Sequence, residues 1–212
     1  MEFPIQAVLF LGVIPALFLM FLSLKGYDGY YKDKVIFLTF IVGIIIGVIS
    51  VIIETYTVAV GIYFIILFPI LEQLFKTIIL NIGRFHGNKE TPIYGLSLGL
   101  GFGSVFIPYL LISLSFQGSY NNLSIAFVVI VAIGIMLIHA ATGVGIGFGV
   151  YDYSLFKYVI FAIILYVPVT ALTIVSSEVN YIQLILFPYG IILYWYFTTK
   201  IMVKIKDDKK EN

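Results

Sequence analysis

The sequence predicts an all-α polytopic membrane protein: a bundle of about seven transmembrane helices, with the N-terminus outside and the C-terminus in the cytoplasm. Three observations carry that expectation. Of 212 residues, 61% are hydrophobic and 11% charged, and the mean hydropathy is +1.11, more apolar than a soluble core of this size can bury. Apolar stretches of roughly 20 residues, the length that crosses a bilayer, recur along the whole chain. The Lys and Arg residues, finally, fall in or beside alternate connections only.

The predicted spans are 4–24, 35–53, 58–80, 93–116, 124–150, 158–177 and 182–203, in a single integral membrane domain of residues 1–212. The first reads as a retained span, because Glu2 is acidic where a signal peptide is basic and no small-x-small site precedes Lys25. The second runs between Lys34 and Glu54, the third carries Pro69, and the fourth carries Pro108. Glycines crowd the end of the fifth, Pro168 interrupts the sixth and Pro188 the seventh. Prolines are tolerated in membrane helices, where neighbours satisfy the carbonyls they free. Tyr27, Tyr30 and Tyr31, and Tyr194, Trp195 and Tyr196, are read as interfacial anchors. The connections are short, which places consecutive helices side by side and antiparallel.

Lys25, Lys32 and Lys34 lie in the first connection; Lys76, Arg84 and Lys89 lie in or beside the third. Lys157 is in the fifth, and Lys200, Lys204, Lys206, Lys209 and Lys210 close the chain, whereas the second, fourth and sixth connections have none. Cytoplasmic loops retain cations, so this asymmetry sets the orientation and supports an odd number of spans. The terminal lysines offer a weak attraction to membrane lipids, offset by Asp207, Asp208 and Glu211. A formal charge of +1 argues against a nucleic-acid partner, and the absence of cysteine excludes disulfides and thiolate chemistry.

Ionisable groups within spans are costly and mark a site or a buried pair. Glu72, Lys76 and His139 are the candidates. Glu72 and Lys76 are spaced i,i+4, the favoured order for an ion pair on one helix face. Glu72 lies about fifteen residues into its span and His139 about sixteen, so at ~1.5 Å per residue they reach similar depths, on the cytoplasmic side of the midplane. If they meet in a wet cavity, they supply a base and a ligand for activating water or binding a divalent metal. Alternatively His139 is a neutral imidazole bonded across a helix interface. Gly95, Gly99 and Gly103 form two consecutive GxxxG steps on one helix face, suited to helix packing within the bundle or to binding a partner membrane protein. Gly143, Gly145, Gly147 and Gly149 repeat with a period of two, which keeps to no single face and predicts a loosened end of the fifth span.

With these residues in place, the chain resembles the anterior-pharynx-defective subunit of γ-secretase, within the wider PrsW-like and CAAX-processing group of intramembrane proteases. The stretch from Gly95 through Gly99 to Gly103-Ser104-Val105-Phe106 is similar to that subunit's glycine-striped fourth helix, and Leu137-Ile138-His139 with Gly143-Val144 to its fifth-helix histidine region. PrsW-like proteases carry EExxK, FxxxE and HxxxD as their catalytic set. Here these become Glu72-Gln73-Leu74-Phe75-Lys76, Phe102-Gly103-Ser104-Val105-Phe106 and His139-Ala140-Ala141-Thr142-Gly143. Glu72, Lys76 and His139 keep the pattern; Gln73, Phe106 and Gly143 stand where acids would. A second histidine of the γ-secretase subunit, in its sixth helix, has no counterpart in Tyr166-Val167-Pro168-Val169. The resemblance therefore implies a non-catalytic scaffold that packs against another membrane protein, with Glu72, Lys76 and His139 as a residual cluster and an incomplete ligand set for a divalent metal. An intramembrane protease using Glu72 and His139, or a small transporter or channel, are the alternatives.

Overall fold

The helix at the centre of the bundle carries no charged side chain. All thirteen residues of Thr91–Gly103 are buried, and other helices surround it on every side. The computed structural model describes residues 5–116, 121–176, 179 and 181–207. Among these the chain is helical without a strand: α1 (Ile5–Leu24), α2 (Asp33–Thr57), α3 (Ile62–Leu80), α4 (Thr91–Gly103), α5 (Phe106–Phe116), α6 (Asn122–Tyr151), α7 (Leu155–Val175), α8 (Leu186–Tyr196) and a terminal turn, α9 (Lys204–Asp207). Six helical stretches are long and apolar enough to cross a membrane, with α4 and α5 forming one of them and residues 182–206 another. α1 is a further apolar helix, so the protein is an all-α polytopic membrane protein.

α4 is held between α2 and α6 and touched by α1. Small residues make this possible, since in lipid helices associate by close packing rather than by hydrophobic drive. On α2, a Cβ at Gly43 would overlap the Leu98 carbonyl; on α4, one at Gly101 would overlap the Phe40 carbonyl. Ser97 Oγ donates to the Ile36 carbonyl at 2.7 Å across the same contact. α4 and α5 form one predicted span but two helices, separated at Ser104–Val105. Pro108 has no N–H to return to the Ser104 carbonyl, and α1 approaches that carbonyl so closely at Gly12 that a side chain there would collide with it.

α3 and α7 pair on the flank of α6. Pro69 inside α3 frees the Ile65 carbonyl, and Thr170 Oγ1 of α7 donates to that oxygen at 2.9 Å. α6 starts on an Asn121 cap, whose side chain accepts from the Ser124 N–H at 2.9 Å. Against the sequence expectation, α6 stays helical through its glycine-rich end to Tyr151. The period of two arises because two sides are packed: Gly143 and Gly147 lie against α4, Gly145 against Phe197 and Gly149 against Tyr158. α2 also runs further than predicted, through Thr57, so Glu54 belongs to a helix and not to a connection.

The cation-bearing connections gather at one end of the bundle. Lys206 Nζ lies 3.7 Å from the centre of the Tyr27 ring, Lys204 Nζ 5.3 Å from that of Phe148, and the Tyr153 side chain lies against Gly87. First, third and fifth connections and the chain's end thus share one face. Trp195 and Tyr196 are exposed, as anchors would be, but Tyr27 is buried, and the Tyr194 hydroxyl bonds to Ser23. Residues 208–212, with most of the predicted lipid-attracting tail, lie outside the described residues, as does Glu2.

Candidate functional site

The polar residues of the interior collect where α2, α3, α6 and α7 meet. α3 supplies Glu72, Gln73 and Lys76 from one buried stripe, spaced so that positions 72, 73 and 76 share a helix face. α6 supplies His139 and Thr142, α7 supplies Tyr166, and α2 supplies Ser50 and Glu54. Glu72, Lys76 and His139 are each 0% exposed.

Each candidate has a partner within the chain. Ser50 Oγ donates to Glu72 Oε1 at 2.7 Å. Lys76 Nζ donates to Gln73 Oε1 at 3.0 Å and to Thr142 Oγ1 at 2.8 Å, and it lies 5.2 Å from the centre of the Phe102 ring. The i,i+4 neighbours still interact through their charges, but each hydrogen-bonds elsewhere: the lysine turns across to the Thr142 hydroxyl on α6, and Glu72 turns toward Ser50 on α2. His139 is enclosed by aromatic rings, with centroids at 4.4 Å for Phe102, 5.1 Å for Phe106 and 4.8 Å for Tyr166. Its Nε2 is 3.0 Å from the Tyr166 hydroxyl, and that hydroxyl also interacts with Glu72. Glu72 and His139 therefore belong to one cluster, joined through Tyr166.

The positions where the resembled protease pattern has acids contribute other chemistry. Gln73 accepts from Lys76, and Phe106 stacks on His139. Gly143 faces Gly95 across the α4–α6 contact. Among the described residues no three His, Asp or Glu side chains converge as metal ligands.

Gly95, Gly99, Gly103 and Gly143 are all occupied inside the chain. A Cβ at Gly99 would overlap the His139 carbonyl, and one at Gly103 would stand 2.5 Å from Met136 Cα. The stripe brings α4 against α6 closely enough to set Phe102 over His139, and it leaves none of these four glycines free for a second protein.

Sequence reasoning missed Tyr166, Ser50, Glu54 and Thr142. One tyrosine among 16, in an apolar helix, carries no signal. Ser50 and Glu54 are spaced i,i+4 toward one neighbour, but Glu54 closes an apolar stretch and reads as the start of a connection. The polar groups also extend further than expected, through Ser50 and Glu54 toward the cation-free end as well as through Lys76 and Thr142 toward the cation-rich one. No protein-family model, curated protein or solved structure matches this chain.

Proposed function

We propose that this chain is a non-catalytic membrane scaffold, related in architecture to the anterior-pharynx-defective and PrsW-like group, with its cation-rich face in the cytoplasm of the cell membrane. One observation carries the reading: Glu72, Lys76 and His139 are wholly enclosed and bonded within the chain. Cross-helix bonds of this kind, from Glu72 to Ser50, Lys76 to Thr142 and His139 to Tyr166, fix the helices they join. A partner membrane protein then docks on the lipid-facing side, and the cleft of ≈ 260 Å³ between α1 and α2, lined by Leu17, Phe21, Phe37 and Phe40, receives one of its side chains.

The absence of native cysteine supplies the test. Phe37→Cys, carrying a photoactivatable thiol reagent in native membranes, is expected to trap one discrete partner, while Tyr63→Cys on α3 is expected to trap lipid alone. Lipid at both positions would overturn the scaffold reading.

A second reading, an intramembrane protease, rests on Tyr166 joining Glu72 to His139. It requires cleavage of a transmembrane substrate that stops in both Glu72→Gln and His139→Ala. The expected outcome is no product from the unaltered protein.

A further inference from the structure

Glu54 and Glu72 come from adjacent helices. Ser50, one turn before Glu54, bonds to Glu72 Oε1, and the two carboxylates lie close enough for their charges to interact. Each has one oxygen, Oε2, buried without a hydrogen-bond partner among the described residues. Unpartnered buried oxygens are costly, and two of them on helices that the Ser50–Glu72 bond ties together call for a donor.

Charge counting gives the same result. The titratable groups around this junction are Glu54 on α2, Glu72 and Lys76 on α3, Tyr109 on α5, His139 on α6 and Tyr166 on α7, with the Phe102 ring of α4 against Lys76 and His139. Two carboxylates and one ammonium leave one negative charge uncompensated in an apolar interior. His139 does not compensate it, because an imidazolium donates from both nitrogens and Nδ1 has no acceptor among the described residues. A proton needs only the two carboxylate oxygens that lack a donor.

We propose that Glu54 and Glu72 form a proton-binding carboxyl–carboxylate pair that holds one proton between them and exchanges it with water at the cation-free end of the bundle. The proton's O–H on one carboxyl donates to the carboxylate of the other. Exchange runs through Glu54, which is only half-buried in the last turn of α2, beside Thr55, whose hydroxyl lies 3.5 Å from that of Tyr109. Glu72 lies deeper and receives the proton from Glu54. This property is independent of whether a partner docks.

Dicyclohexylcarbodiimide tests it, since this apolar reagent modifies carboxyl groups that are protonated in apolar surroundings. The intact protein in lipid vesicles is labelled at a series of pH values and its peptides are weighed. One adduct per chain, on Glu54 or Glu72, is expected, decreasing as pH rises and indifferent to sodium. In Glu54→Gln, Lys76 alone balances Glu72, so labelling of Glu72 at neutral pH drops about tenfold; Glu72→Gln does the same for Glu54. Absence of labelling in the unaltered protein at every pH, adducts on both residues of one chain at neutral pH, or suppression by sodium at constant pH would each overturn the proposal. The pH series on the unaltered protein decides the matter even if a variant fails to fold.

Discussion

Tyr27 is a buried side chain outside the membrane spans, with its hydroxyl unpartnered among the described residues and the Lys206 ammonium over its ring. Burial, and secondarily the neighbouring Tyr30, pushes its pKa up to about 12. A raised pKa means the unfolded chain releases the proton first: stability from this site is complete below the ordinary tyrosine value of ~10 and is lost as pH rises from there toward 12. Tyr27→Phe should remove that alkaline component and leave neutral-pH stability unchanged or slightly raised, because it deletes an unsatisfied hydroxyl; thermal melts in detergent at neutral and alkaline pH check this. Lys206→Ala should lower stability by about 1 kcal/mol, the value of a cation–π contact, and loosen the end of the chain from the first connection.

Helix contacts in this bundle depend on carbonyls that another element reaches, and two tests follow. Gly99→Ala places a methyl group against the His139 carbonyl backbone, which cannot yield as a side chain can, so a loss of about 3 kcal/mol is expected. Gly83→Ala, with open space around it, serves as the neutral comparison in the same melt. For α3 and α7, Thr170→Val should cost about 1 kcal/mol, but less in a Pro69→Ala background, where the restored N–H at position 69 takes up the Ile65 carbonyl. An unchanged cost in that double-mutant cycle would mean that Thr170 acts by packing alone. The glycine stripe was legible in the sequence because its spacing matches a helix face, and Glu72, Lys76 and His139 because charge is rare in apolar spans. Their partners were not legible. Which hydroxyl meets Glu72 or His139 depends on the rotation of α2 and α7 about their own axes, and an apolar helix surrounded partly by lipid carries little periodic signal to fix that rotation. The break between α4 and α5 escaped for a related reason: Pro108 marks a freed carbonyl, but only the approach of α1 at Gly12 shows that the break is used.

At the scale of the molecule, cations gathered at one end and cation-free connections at the other make sidedness testable with single cysteines. Lys34→Cys should react with an impermeant reagent only from the cytoplasmic side, and Tyr56→Cys, at the opposite end of α2 and largely exposed, only from the outside; the reverse pattern would invert the proposed orientation. The overall path of the chain was legible because bilayer thickness fixes span length and loop charge fixes parity, whereas the extent of the cluster was not, since Ser50 and Glu54 carry it on toward the cation-free end. α4, buried along its whole length, has a consequence for synthesis. It leaves the ribosome before α6, the helix that covers its glycine face, so the newly inserted chain exposes that face to lipid until about fifty more residues have followed. A chain ending after α5 should therefore be recognised as unassembled and degraded, and one ending after α6 should persist longer, which makes the joining of α4 to α6 the step at which the nascent protein becomes durable.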